Sequence, residues 1–319
     1  MSWKKRGRIL IPSGTGNWYH GGFSGAHAVL DNTGNINIYL TGRDAENRSR
    51  IGVCGFDAIT GNVVQISETP ILELGERGAF DYNGTGYPFY INNGNTELLY
   101  YTGWTRGVHV DFINDLGLAE KTTDQPLFTR ISRASIFPRN NEEPFGTGSV
   151  CVLQDSGIWK IWYTCFDRWE ERTEGLRHYY HIRYAESHNG VEWSRNRTIC
   201  IDLDTSQNEY VVAKPFVMKY KGHYLMWFAY RGNAYKVGFA VSKDGKTWKR
   251  HDKSRLCIQA SAEGWDSEMV CYSSVLLHQD NALMFYNGNG YGKTGLGWAV
   301  MPLEIFEQEL TALGYQLTA

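Results

Sequence analysis

Five carboxylates stand at nearly the same distance ahead of apolar, strand-like runs. With the chain set out on Pro88, Ser149, Pro215 and Ser273, Asp81 and Asp266 lie seven residues upstream, Glu143 and Glu209 six, and Glu268 five. Two carboxyl groups held close divide their duties. Crowding raises one pKa, so that one acid donates a proton while its ionised neighbour activates water or attacks carbon. Cleavage of a glycosidic bond uses this pairing. Glu209, Glu268, Asp81 and Asp266 are therefore candidate catalytic groups, with Asp44 as a fifth. Glu143, next to Glu142 in a polar loop, is a candidate substrate contact. Any one acid ahead of a strand also fits a turn cap; recurrence at one place favours a shared site.

The elements that must position these groups repeat. Five aromatic-rich runs, NIYLTGRD, LLYYTGWT, WKIWYTCFD, YLMWFAYRG and ALMFYNGNG, each follow a strand and a polar turn. With Thr41, Thr102, Thr164, Ala229 and Asn287 as equivalent positions, the steps are 61, 62, 65 and 58 residues. A third strand follows each run. A fourth is expected at TPILEL, QPLFTRI, RTICIDL and SRLCIQA. Repeated units of four short antiparallel strands predict an all-β, five-bladed β-propeller, one domain over residues 1–319. The fifth unit lacks its fourth strand. RGRILIPSGTGNW (6–18) parallels KSRLCIQASAEGW (253–265), so residues 8–12 are expected to supply it and close the ring, which removes exposed sheet edges.

In such a unit the start of strand one and the end of strand two share a mouth. Arg43 with Asp44, then Trp104, Asp167, Arg231, Asn287 and Asn289, would ring one funnel. The first unit has no acid ahead of its inner strand and offers His27 instead; Lys214 sits beside Pro215. These side chains suit a sugar: aromatic faces stack on rings, and arginine or asparagine holds hydroxyl or carboxylate groups. The segments SHNGVEW and SKDGKTW read as structural turns, with Trp193 and Trp248 packing between units.

A net charge of −2 over 319 residues gives no electrostatic case for nucleic acid. No apolar run approaches the ~18 residues of a membrane span, and the short apolar run after Met1 does not make a signal peptide. A cytoplasmic location is the expectation. Six scattered cysteines read as buried thiols. No cofactor is implied, and no ligand spacing marks a metal site.

The segments GAFDYNGTGYPFYI, LLYYTGW, IWKIWYT, KPFVMKYKGHYLMWFAYRG and GWDSEMVCYSSV resemble the five-bladed propellers of the arabinanase, β-xylosidase, invertase and levansucrase superfamily. They are most similar to a branch associated with bacterial surface-polysaccharide synthesis. The resemblance implies a glycoside hydrolase or transglycosylase acting on a small saccharide or sugar nucleotide. The chain departs from that pattern in two places. The first inner strand, SGAHAVL, lacks the superfamily's aspartate, and Ala213 stands where its acid-donating glutamate belongs. Two further readings follow: a non-catalytic carbohydrate-binding scaffold, or an activity on an anionic sugar with Arg43, Arg231 and Lys214 as the anion clamp.

Overall fold

The computed structural model describes residues 2–12, 18–122, 124–173 and 175–318. Strand β1 (Lys4–Leu10) comes first. A set of four follows: β2 (Phe23–Leu30), β3 (Ile36–Arg43), β4 (Ser49–Asp57) and β5 (Asn62–Ile66). The next set is β6 (Gly84–Asn93), β7 (Thr96–Thr105), β8 (Ile113–Thr122) and β9 (Thr129–Arg130). The third is β10 (Thr147–Asp155), β11 (Ile158–Arg172), β12 (Gly175–Ser187) and β13 (Ser194–Ile201). The fourth is β14 (Val211–Tyr220), β15 (His223–Arg231), β16 (Tyr235–Ser242) and β17 (Lys249–Arg250). Strands β18 (Cys271–His278), β19 (Asn281–Asn287) and β20 (Leu296–Pro302) end the sheet structure, before helix α1 (Leu303–Ala312).

Within each set, neighbours in sequence pair antiparallel. In the last set β18 pairs β19 and β19 pairs β20, and β1 pairs antiparallel with the free side of β20, Lys4 opposite Val300 and Leu10 opposite Leu296. The paired stretch is thus 4–10, not 8–12, and residues 13–17 of the parallel segment lie outside the described residues. Trp3 anchors it: the indole is buried and donates to the Leu256 carbonyl at 2.8 Å.

The outermost strands depart most from expectation. TPILEL contributes a single bridge, Ile51 to Leu72, while β5 forms earlier. SRLCIQA is not a strand, although Leu256, Cys257 and Ile258 are buried. The apolar pattern there reports burial, not pairing, because the indoles of Trp3 and Trp227 take the Leu256 carbonyl. The two turns behave as read. Ser187 and Asn189, and Ser242 and Asp244, hold their own backbones. The Gly190 and Gly245 carbonyls accept from Tyr100 and Trp162 of the preceding set.

The innermost strands β2, β6, β10, β14 and β18 touch one another in that order, and β18 also touches β2. Each slips register by one residue at one place: Ser24/His27, Gly86/Phe89, Thr147/Val150, Ala213/Phe216 and Cys271/Ser274. Such bulges re-aim side chains. Four begin with a left-handed residue: Gly25 (φ 60), Tyr87 (φ 48), Lys214 (φ 51) and Tyr272 (φ 56). At three junctions the freed N–H goes to a side-chain oxygen of the preceding set. Tyr87 N donates to Thr41 Oγ1 (2.7 Å), Lys214 N to Thr164 Oγ1 (3.2 Å) and Gly25 N to Asn287 Oδ1 (3.1 Å).

Candidate functional site

The bulges of β6 and β18 turn Tyr87 and Tyr272 toward a pocket of ≈ 440 Å3 to which all five sets contribute. Arg43 enters from the end of β3, Tyr87 from β6, and His178 and Tyr180 from β12. Arg231 and Tyr235 come from β15 and β16, Tyr272 from β18, and Tyr291 and Lys293 from the turn after β19. Among the described lining residues there is no Asp or Glu. Tyr87 meets Tyr272 edge-on at 5.4 Å, and Tyr272 meets Tyr235 at 5.6 Å. Burial pushes the Tyr235 and Tyr272 hydroxyls well above the usual phenol range, so both stay protonated donors.

Arg231 is the most connected cation here. Its Nη1 donates to the Tyr291 hydroxyl at 2.8 Å, and its guanidinium lies over the rings of Tyr210, Tyr235 and Tyr291. Its Nε is buried with no acceptor among the described residues, and Nδ1 of His178 is buried with no hydrogen-bond partner among them. Burial, with Arg231 nearby, lowers the His178 pKa to about 4, so the imidazole is neutral at pH 7. Buried polar atoms without partners are uncommon in folded proteins and call for an explanation. Among the described residues, the Arg43 side chain bonds to the Asn47 carbonyl and lies over the Trp104 ring at 5.7 Å.

Of the residues nominated from sequence, the pocket brings together Arg43 and Arg231. Trp104 stands behind Arg43, its indole bound to Ser49. Lys214 is buried in the β14 bulge and does not line the pocket. His27 lies toward the other ends of the inner strands. It stacks on Phe89 at 3.9 Å and accepts the Tyr90 N–H at Nδ1; it lines a second hollow there, with Phe216 and Leu277. A larger hollow, ≈ 710 Å3, lies along the outer edge of the first set and holds none of the nominated residues.

The acids do not converge. Asp81 accepts from Tyr101 (2.9 Å) and Arg130 (2.7 Å), and Asp266 from Tyr286 (3.0 Å) and Lys5 (2.6 Å). Glu143 accepts from Tyr163 (2.6 Å), Arg183 (3.1 Å) and Arg195 (2.8 Å). Glu209 takes both ends of Arg250, at 2.9 and 2.8 Å. One arrangement recurs: the carboxylate ahead of an inner strand binds a cation on the outermost strand of its set, and in three sets a tyrosine of the second strand as well. Recurrence in sequence therefore reflects a scaffold clamp, which corrects the placement of these four at a shared mouth. Asp44 closes its own turn, accepting from the Glu46 and Arg48 amides and the Arg48 side chain. Asp167 pairs with Arg168, away from the pocket lining. Glu268 is exposed, and its carboxylate has no partner among the described residues; its amide is held by Asn289 at 2.8 Å.

The two asparagines are corrected as well. Asn287 is fully buried, with Oδ1 on the Gly25 amide and Nδ2 on the Phe23 and Gly295 carbonyls. Asn289 Oδ1 accepts from the Glu268 and Met269 amides, and its Nδ2 donates to the Gly264 carbonyl. Every polar atom of both amides is bonded within the fold. The left-handed residues of this turn are Gly290 and Tyr291, and Tyr291 reaches the pocket. Tyr87, Tyr272 and Tyr291 were not nominated from sequence, yet the first two directly precede the alignment positions Pro88 and Ser273. Among the described residues no group of three His, Cys, Asp or Glu side chains could hold a metal ion. All six cysteines are buried thiols. No described helix is long and apolar enough to cross a membrane.

The β-1,4-mannooligosaccharide phosphorylase family model matches residues 168–296. The Uncharacterized protein Rv1502 of Mycobacterium tuberculosis is 38% identical over 307 residues, covering 94% of this chain and 99% of that protein. Among solved structures, a glycoside hydrolase superposes with a TM-score of 0.73 at 14% identity, over 94% of this chain and 91% of its own. A thermostable family-43 glycoside hydrolase does so with a TM-score of 0.68 at 16% identity, over 92% of each chain. At these identities the structural likeness is one of fold.

Proposed function

From its membership of the family of the mycobacterial protein Rv1502 and its likeness in fold to glycoside hydrolases, we propose that the central pocket of this chain binds a saccharide together with an anion and transfers the glycosyl group. The observation that carries this reading is the lining itself: Arg43, Arg231 and Lys293 with five tyrosines and, among the described residues, no carboxylate in the lining and no acceptor for the buried Arg231 Nε. Tyrosine rings offer stacking faces and hydroxyl donors to a sugar, and guanidinium groups match phosphate or carboxylate in geometry.

A pocket of this kind suits phosphorolysis. A phosphate oxygen bonds to the anomeric carbon as the glycosidic C–O bond breaks, and the leaving oxygen takes a proton. The incoming phosphate then does the work of one of the two carboxylates a hydrolase needs. The family match to a phosphorylase spans His178, Lys214, Arg231, Tyr272 and Tyr291. For the proton we propose Glu268, whose loop packs on the turn carrying Tyr291 through the Met269 sulfur. We further read the five antiparallel sets as five blades of one domain, closed by β1 as the outer strand of the last; the β1–β20 pairing and the Asn287–Gly25 bond support this.

The test is turnover of β-linked mannooligosaccharides with and without inorganic phosphate, with sugar 1-phosphate and free sugar measured separately. Phosphate-dependent sugar 1-phosphate, lost in Arg231→Ala, supports the reading. Phosphate-independent release of free sugar would replace it with hydrolysis. Binding of sugar and phosphate without product in any condition would favour a non-catalytic scaffold, the reading that the missing carboxylate pair also supports.

A further inference from the structure

We infer that the space enclosed by the five inner strands holds one small monovalent anion, of the halide class, on the ammonium group of Lys214. Lys214 occupies the bulge of β14 in a left-handed conformation, φ 51, which strains a residue with a side chain. Its side chain is 1% exposed, and Nζ has no acceptor among the described residues. A primary amine so placed is costly to bury unless something compensates it.

The titratable groups whose environment includes the charge of this amine are His27 on β2 and Cys151 on β10. Neither supplies negative charge. Burial pushes the Cys151 thiol up to about 12, and burial together with Lys214 holds His27 well below the ordinary imidazole range. His27 Nδ1 accepts the Tyr90 N–H, which assigns its ring proton to Nε2 as a donor. Burial lowers the amine itself only to about 8, so it carries charge at neutral pH. The result is a protonated amine with a neutral imidazole donor near it and no Asp or Glu acting on it among the described residues.

The chemistry of the ion follows from the enclosure. Lys214 lines neither the central pocket nor the hollow around His27. One positive charge on a fully buried amine matches one negative charge. Phosphate or a carboxylate would need several donors. The hydroxyls of Thr147 and Ser273, at the bulges of β10 and β18, are buried without partners among the described residues and can turn to donate.

Crystals of the full chain soaked in sodium bromide and measured at the bromine edge should show an anomalous peak within hydrogen-bonding distance of Lys214 Nζ. In solution, sodium chloride should raise the melting temperature above sodium gluconate at equal ionic strength, by about 4 °C at a hundredfold excess over the dissociation constant. Lys214→Met should lose that difference. No bromide peak, equal melting in the two salts, or stabilisation by phosphate alone would each overturn the proposal. If Lys214→Met does not fold, the bromide map and the chloride response of the unaltered protein still decide.

Discussion

Replacing Glu143 by glutamine separates a scaffold carboxylate from a catalytic one. The Glu143 side chain is 2% exposed and holds two guanidinium groups, Arg183 and Arg195, themselves only 13% and 14% exposed. Solvent screens these pairs weakly, so the discount for exposed ion pairs does not apply. Glu143→Gln keeps the shape and one acceptor oxygen but leaves two buried cations uncompensated. Breaking one side of a buried pair costs about 3–5 kcal/mol. Unfolding entropy of about 2.1 cal/mol/K per residue gives roughly 0.7 kcal/mol/K for a chain of 319 residues. Glu143→Gln should therefore melt about 4–7 °C below the unaltered protein by calorimetry at pH 7, with saccharide and phosphate affinity unchanged. Adding Arg195→Met should restore part of the loss by removing one stranded charge. A melting temperature within about 1 °C of the original, or lost affinity with stability intact, would refute the clamp.

Asn287→Ala and Asn289→Ala should each cost about 1–3 kcal/mol of stability through stranded backbone partners and spare ligand affinity; isothermal titration beside thermal melts checks both halves. Deleting residues 1–12 removes the β20 pairing, the Trp3 anchor and the Lys5–Asp266 pair, and should lower the melting temperature sharply; a truncated chain melting like the full one would contradict this. His178 has a folded pKa of about 4 against 6.5 for the free imidazole, so the folded state binds fewer protons than the unfolded. Its contribution is fully present above pH 6.5 and is lost as pH falls toward 4, at most about 3 kcal/mol. His178→Gln should flatten that part of the stability profile.

The strands β3, β7, β11, β15 and β19 were legible because their apolar residues are buried on both faces and bounded by turns. β11 runs on to Arg172, past the expected end at Asp167, because its polar tail pairs with β12 out to Gly175. A polar hairpin leaves no hydrophobic mark. The acids show a different failure. What repeats from unit to unit is what each unit needs to hold itself together, so Asp81, Glu143, Glu209 and Asp266 recur as clamps. A pocket where unlike units meet is built where they differ. Gly25, Tyr87, Gly148, Lys214 and Tyr272 share one structural place with unlike side chains, and only Lys214 was singled out there. Arg43 and Arg231 were found for this reason, being strand ends that vary.

The pairing of β1 with β20 also has a consequence in time. Lys4 lies opposite Val300, so about 296 residues must be made between the two. At about 5–20 residues per second on the ribosome, the leading segment waits roughly 15–60 s for its partner. Through that interval it is an unpaired strand carrying an exposed tryptophan, the kind of edge that invites pairing with another chain. Its composition answers the hazard: Lys4, Lys5, Arg6 and Arg8 crowd one short stretch, and like charges on nascent neighbours keep such segments apart. The same lysine that guards the waiting strand, Lys5, then loses its freedom to Asp266 once the partner arrives.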